Sequence, residues 1–498
     1  WVIDVGEVTG NLSRRAPLPP LVRAPAPAPA PVPPEPPETF TEARQLANAG
    51  DWERARRLLE TAAAEENAPA AIQLELARLY RQKGDYLQAA RLYWQAGRQN
   101  AEHPAAPFAM REASRLFSDL GFYYQAAKPL EAYLRNYPTD PSAQDVQLQL
   151  GRLYALGGDG GAAREELIPL TYQGSAHTEV RARYWLAYLL ARQGDAQPAN
   201  EQFRSLAERE PGYLNDDPEL LFGAARAALE AGQPERAEKL AARLSRRFPQ
   251  HSRSLAAVLL QGRAQLAMAE WSRARATLLE VVRAGAQADL DGRARAGVAR
   301  ADYELGRLGA EAAVTRLTRL AQGLPGSRAA MEARSMAARI LADSGAGGRA
   351  LEQLRYVMRD GDRRARERAR PLIQRLLPRE MAKAREESRP LAAFGLYSRY
   401  AGPRPARQVH ETAFRALLDM KAVKAARRLM REERRVRGDS VRIRRWQWLV
   451  ARAYRRARIP EGGDWVDRIL AEEANHPLAA RMRLEQLRLL SALDRHEA

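Results

Sequence analysis

The sequence predicts an all-α protein built from one helical hairpin after another, and three observations carry that expectation. A pattern, Leu76-Ala77-x-x-Tyr80-x-x-x-Gly84-Asp85-Tyr86-x-x-Ala89-x-x-x-Tyr93-x-x-Ala96, returns down the chain at a step of about 37 residues. The apolar residues are mostly Ala and Leu with few Val, Ile or Phe, which suits close helix packing rather than sheets. Proline pairs such as Tyr137-Pro138 and Phe248-Pro249 stop helices between copies. A chain of 498 residues ordinarily suggests about three compact domains, but an internal period replaces that with a stacked array whose core grows by repetition.

Residues 1–15 stand apart. Trp1 to Gly10 have strand-like composition with rough alternation and read as a remnant strand of an upstream domain. Residues 16–38 are mostly Pro and Ala, with strict alternation from Ala24 to Pro31, and favour an extended polyproline II arm of about 3.1 Å per residue. The repeat array spans 39–353. Thr41 is placed to cap its first helix, and its first turn reads Gly50-Asp51-Trp52-x-x-Ala55. The quoted hairpin follows. The third has Phe117, Gly121, Ala126 and Tyr133, and the fourth has Leu150-Gly151-x-x-Tyr154, Gly158 and Ala163. The fifth has Leu186-Ala187, Gly194, Ala199 and Phe203; the sixth has Gly232 and Ala237. Weaker copies sit at Gly262 with Ala274, at Tyr303 with Gly306, and at Leu341 with Gly345 and Ala350. Residues 354–460 are Arg-rich degenerate helical repeats, and 461–498 read as a capping helix pair broken at Pro477.

That spacing resembles the tetratricopeptide repeat. In this family a Leu, a small residue and an aromatic at i, i+1 and i+4 lie on the first helix, a small turn residue follows four positions later, and an Ala five beyond the turn admits the second helix at close range. The resemblance implies a right-handed α-solenoid of about 10–12 hairpins. The family's early Trp is missing at Gln73 and Gln147, and the step exceeds the family's typical length of about 34. Stretched repeats with Tyr-Pro or Phe-Pro stops look like those of bacterial envelope proteins, such as outer-membrane assembly lipoproteins and cell-division coordinators.

The chain has no cysteine, which excludes disulfides, a thiol nucleophile and zinc-thiolate sites and leaves the compartment open. No run reaches the roughly 18 apolar residues of a spanning helix. No cofactor or metal is expected: the six histidines are scattered with no i, i+4 pair, and Gly157-Gly158-Asp159-Gly160-Gly161 lacks the Lys-Ser/Thr of a phosphate loop. Glu387-Ser388 looks like the catalytic dipeptide of lytic transglycosylases, but the rest of that signature is absent, and the expectation is a non-enzyme.

Two features carry interaction chemistry. Aligned on their turn glycines, the repeats place Arg78, Arg115, Arg152, Tyr188, Arg226, Arg263, Arg300 and Arg339 at one position of the first helix, which in the family resembles those facing the concave groove. Such a column suits an extended acidic peptide, since guanidinium binds carboxylate bidentately; the alternative is that each Arg pairs with an acid of its own or the next hairpin. Tyr184, Trp185 and Tyr188 add aromatic surface for an anchor, or else pack in the core. The second feature is regional charge. Residues 354–460 hold about 30 Lys and Arg against about 11 Asp and Glu, and so account for the whole net charge of +19. They include Arg363, Arg364, Arg366, Arg368, Arg370, Arg427, Arg428, Arg434, Arg435, Arg442, Arg444 and Arg445. Nucleic acid, anionic lipid headgroups, acidic glycans and an acidic protein all satisfy such a stripe.

The resulting expectation is a scaffold in a bacterial envelope assembly (motility, secretion or polysaccharide export), periplasmic or envelope-associated, with a cytoplasmic location as the alternative. It binds proteins with acidic segments through the groove and a basic C-terminal surface. The alternative is a binder of an anionic polymer, nucleic acid or cell-wall glycan, through 354–460.

Overall fold

The computed structural model describes residues 38–63, 70–402, 405–473 and 475–497. The strand-like start and most of the Pro/Ala arm lie outside the described residues. Among the described residues there are 26 helices and no strand, and the chain divides between Ala231 and Gly232 into two compact units.

The first unit holds α1 (Glu38–Asn48), α2 (Trp52–Ala63), α3 (Ala70–Lys83), α4 (Tyr86–Gln99), α5 (Ala106–Asp119) and α6 (Tyr123–Asn136). It continues with α7 (Ala143–Gly157), α8 (Gly160–Gln173), α9 (Ala176–Gln193), α10 (Ala196–Arg209), a short α11 (Pro211–Asp216) and α12 (Pro218–Glu230). The second unit begins with α13 (Pro234–Arg247), α14 (Ser254–Ala267), α15 (Trp271–Arg283), α16 (Ala288–Glu304), α17 (Ala310–Gly323), α18 (Arg328–Asp343) and α19 (Gly347–Asp360). There follow α20 (Arg363–Glu386), α21 (Pro390–Tyr400), α22 (Arg407–Asp419), α23 (Val423–Arg437), α24 (Ser440–Ala457), α25 (Gly462–Glu472) and α26 (Ala479–Glu497).

One backbone feature recurs at every first-to-second-helix turn. Gly50, Gly84, Gly121, Gly158 and Gly194, then Gly232, Ala269, Gly306, Gly345, Ser388, Lys421 and Arg458, all have positive φ, from +52° at Arg458 to +107° at Gly194. A left-handed residue ends the helix by turning its chain back, and glycine does so without a Cβ clash. At Gly158 the amide donates to Tyr154 O, and Asp159 then caps α8 by accepting from the Ala162 amide at 3.0 Å. The glycine-rich 157–161 stretch is therefore a turn. Ser388 shows that the Glu387-Ser388 dipeptide is another such turn, with Glu387 held by Arg389.

Five residues beyond the turn the second helix presents its smallest side chain to the first. Ala55, Ala89, Ala126, Ala163 and Ala199 in the first unit, and Ala274, Ala350, Ala393 and Ala426 in the second, are fully buried. The facing position on the first helix is equally tight: a Cβ on Gly151 would come within 2.6 Å of Leu167 Cγ, and one on Gly262 within 2.6 Å of Leu278 Cγ. Close approach of backbones at both positions explains why Ala and Gly recur there.

Candidate interaction surface

Counting back six residues from each left-handed turn gives one position on each first helix, and arginine dominates it. In the first unit the series is Arg44, Arg78, Arg115, Arg152, Tyr188 and Arg226; in the second it is Arg263, Arg300, Arg339, Ala382, Arg415 and Arg452. Arg44, Arg415 and Arg452 escape the sequence reading. Arg44 was within reach, six before Gly50, whereas the last two precede turns made by Lys421 and Arg458 instead of glycine.

In the first unit the column is largely neutralised from within. Arg44 binds Glu75 bidentately at 2.5 and 2.9 Å, and Arg78 reaches the same carboxylate at 3.0 Å. Burial alone would raise the Glu75 carboxyl, but Arg44 and Arg78 outweigh it and hold the pKa below its ordinary value. Arg115 is shared between Glu112 at 2.9 Å and Asp119 at 3.0 Å. Arg152 pairs with Asp217 at 3.2 Å and lies over the Trp185 ring at 5.4 Å. Arg226 is half-buried.

The three aromatics of α9 are core side chains. Tyr184 and Trp185 are fully buried and Tyr188 is 3% exposed. For Tyr184 and Trp185 the reason is α11, an insertion between hairpins that lays Tyr213 against them: Trp185 Nε1 donates to Tyr213 Oη at 2.9 Å, and Tyr184 Oη donates to Glu210 O at 3.0 Å, while Tyr188 packs edge-on to Trp185. No free aromatic face is left at these residues for a partner.

The second unit is different, because here cations converge. Glu332 is shared by Arg263 at 3.5 Å and Arg293 at 3.2 Å. Burial pushes its pKa up, but Arg263, Arg293 and Arg368 pull it below the usual carboxylate range. Arg300 pairs with Glu304 and reaches Asp343 at 3.5 Å, and Arg375 approaches Asp343 at 4.0 Å. Arg339 has no ion pair among the described residues. Although solvent reaches it, protein crowds its guanidinium, and this together with Arg300, Arg368 and Arg375 draws its pKa down, against a smaller opposing pull from Asp343. The column and the Arg-rich segment, separate in the sequence, thus meet at α16, α18 and α20. Further on, Arg415 pairs with Glu411 at 2.8 Å, while Arg452 and Arg481 flank the half-buried Trp448, each 5.9 Å from its ring.

Of the basic segment, Arg363 pairs with Glu367 at 2.9 Å, Arg366 donates to Gly361 O and Arg368 to Arg364 O. Arg364 and Arg370 also lie on α20. Arg427 is spent on Tyr454 Oη at 2.8 Å and the Trp465 ring at 5.6 Å, Arg442 on Glu433 at 3.2 Å, and Arg444 on Glu473 at 2.5 Å. Arg428, Arg434, Arg435 and Arg445 are exposed and have no ion pair among the described residues. Among the described residues no group of His, Asp or Glu is arranged to hold a metal ion, and no helix is long and apolar enough to cross a membrane.

Residues 190–261 match the family model described as tetratricopeptide repeat. No curated protein matches the sequence. Among solved structures, a tetratricopeptide repeat protein from Parabacteroides merdae is 21% identical over 52% of this chain and 97% of its own, with a TM-score of 0.37. A Podosopora anserina putative kinesin light chain with nearly identical TPR-like repeats is 23% identical over 35% of this chain and 94% of its own, at 0.27. The APC/C hetero-tetramer Cut9-Hcn1 is 15% identical over 91% of this chain and 90% of its own, at 0.30. At such TM-scores none of the three lends this chain a partner or a function.

Proposed function

Taking the chain as the array of tetratricopeptide-like hairpins that its turns, crossings and family match describe, we propose that it is a non-enzymatic scaffold whose first-helix face holds an acidic segment of a partner protein. Repeats of this family suggest protein–protein interaction, because stacked first helices offer an extended surface. The observation that carries the reading is the surplus of cations in the second unit, where Arg300, Arg368 and Arg375 all bear on Arg339, and where Asp343, already shared by Arg300 and Arg375, is the acid that opposes them. A bound carboxylate supplies the missing counter-charge, and arginine forks donate to it in a defined geometry.

The setting we propose is a bacterial envelope assembly, periplasmic or envelope-associated, such as a motility, secretion or export machine. The long step between turns and the Tyr137-Pro138 and Phe248-Pro249 stops support it. The test is site-specific photocrosslinking in the source cells. Ala382 occupies the column without supplying a guanidinium, so a crosslinking residue there removes no cation. The expected result is a discrete protein adduct that high salt prevents. Adducts from a probe at Ser398 on α21 and none from Ala382 would overturn the assignment of the face.

A further inference from the structure

A run of unpaired positive charge lies on a second helix, α23, which does not belong to the first-helix column. On α23, Lys424, Arg428, Arg431 and Arg435 follow at i, i+4, i+7 and i+11, which puts them on one face over about 16 Å of helix. All four are exposed, and among the described residues no carboxylate lies within ion-pair distance of any of them. Arg434 borders the same face, and Glu432 is the single acid within it. The opposite face is the core side of the helix, with Val423, Ala426, Leu429, Met430 and Glu433 buried. A helix that spends its polar face on one sign of charge loses stability to self-repulsion, so the arrangement calls for an external anion.

Apolar side chains lie at the C-terminal end of the stripe, to one side of it. Val436 in the last turn of α23 is 43% exposed, Val441 in the first turn of α24 is 75% exposed, and Arg445 follows Val441 one turn on. On the preceding second helix, α21, there is no acidic residue, and Leu391 is 73% exposed. No residue of α23 is aromatic, so the stripe has no ring on which a nucleobase could stack. Exposed aliphatics gain nothing from a phosphodiester or glycan chain, but they do gain from the boundary between headgroups and acyl chains. Free cations with exposed aliphatics at one end of the stripe form a surface that an anionic bilayer selects.

We propose that α23 and the α23–α24 turn dock on an anionic lipid surface, with the Lys424–Arg435 stripe facing the headgroups and Val436 and Val441 entering the interface. The docking uses a second helix and none of the first-helix column residues, and it stands or falls independently of the protein-binding reading.

The experiment is co-sedimentation of the full chain with phosphatidylcholine vesicles, with and without phosphatidylglycerol. The wild type is expected to pellet only with the anionic vesicles, in a salt-sensitive manner. A variant carrying Lys424→Glu, Arg428→Glu, Arg431→Glu and Arg435→Glu is expected to lose about tenfold or more in partitioning. A control with the same change in net charge, Arg57→Glu, Arg91→Glu, Arg98→Glu and Arg204→Glu in the first unit, keeps wild-type partitioning. Val436→Ser with Val441→Ser lowers partitioning several-fold and leaves its salt dependence in place. Melting curves establish that each variant folds. Equal loss in the stripe and control variants overturns the proposal, as does binding of duplex DNA by a wild-type chain that ignores the vesicles.

Discussion

His410 Nδ1 lies 2.5 Å from Glu433 Oε2, and both side chains are buried, the imidazole 3% exposed and the glutamate fully enclosed. A carboxylate can only accept here, so the imidazole donates from Nδ1, and its Nε2 is buried without a hydrogen-bond partner. Arg437 and Arg442 also bind Glu433, Tyr397 stacks on the imidazole at 5.9 Å, and Trp446 meets its edge at 5.6 Å. Burial lowers the His410 pKa below 6.5 even against the pull of Glu433. Burial would raise Glu433, but His410 and Arg437 hold it below 4.5.

A pH dependence follows. Because the folded imidazole resists a proton that the unfolded one accepts, stability is full above about pH 6.5 and falls as pH drops toward the folded pKa. Glu433 adds a second loss below about pH 4.5, where the unfolded carboxyl protonates first. Melting temperatures taken across this range should show the upper loss in the wild type, and His410→Gln should flatten it. Replacing the acid itself, Glu433→Gln, should cost about 3–5 kcal/mol at neutral pH, since it leaves Arg437 and Arg442 half-buried without their carboxylate.

The turns supply a second prediction. A non-glycine residue in the left-handed region costs about 1–2 kcal/mol, while glycine costs the unfolded chain about 0.5–1 in entropy. Lys421 has φ +56° and Arg458 +52°. Lys421→Gly should therefore leave stability unchanged or raise it by up to about 1 kcal/mol, whereas Gly158→Val should lower it by about 2. Urea titrations of the two variants measure the contrast directly.

A third prediction concerns Trp185. With its indole buried and its Nε1 bonded to Tyr213, Trp185→Ala should cost about 3–5 kcal/mol of stability by opening a cavity. Under conditions where the variant remains folded, its affinity for an acidic ligand should match the wild type. A folded variant with weakened binding would return the aromatic to the partner surface.

What could be read from the sequence was the local chemistry of each hairpin. Gly158, Asp159 and Ala163 announce a turn, a cap and a helix crossing because each needs its own residue type within a few positions. The register faded past Gly345 because Ser388, Lys421 and Arg458 adopt the same left-handed turn with side chains that carry no turn signal, and Arg415 and Arg452 were lost to the column with them. The choice between anchor and core at Tyr184 and Trp185 was open for a different reason: the spacing on α9 is the same whether or not α11 folds over it. Of the neutralising partners, Glu75, Glu112, Asp119 and Glu304 stand three or four residues from their arginines and fit the in-hairpin pairing the sequence allowed, whereas Asp217 meets Arg152, and Asp343 meets Arg300 and Arg375, across long stretches of chain.

The central claim is that the first-helix column binds an acidic segment where its own carboxylates run short, and fluorescence anisotropy with a labelled oligo-glutamate peptide tests it most directly. The wild type should bind in a salt-dependent manner, and Arg339→Gln with Arg368→Gln, two exposed arginines with no ion pair among the described residues, should weaken binding about tenfold or more, at about 1 kcal/mol per guanidinium. Arg78→Gln with Arg115→Gln should change it little, because Glu75, Glu112 and Asp119 already occupy those guanidiniums. The account is contradicted if the peptide does not bind, if the two pairs weaken binding equally, or if only Lys424→Glu with Arg428→Glu abolishes it.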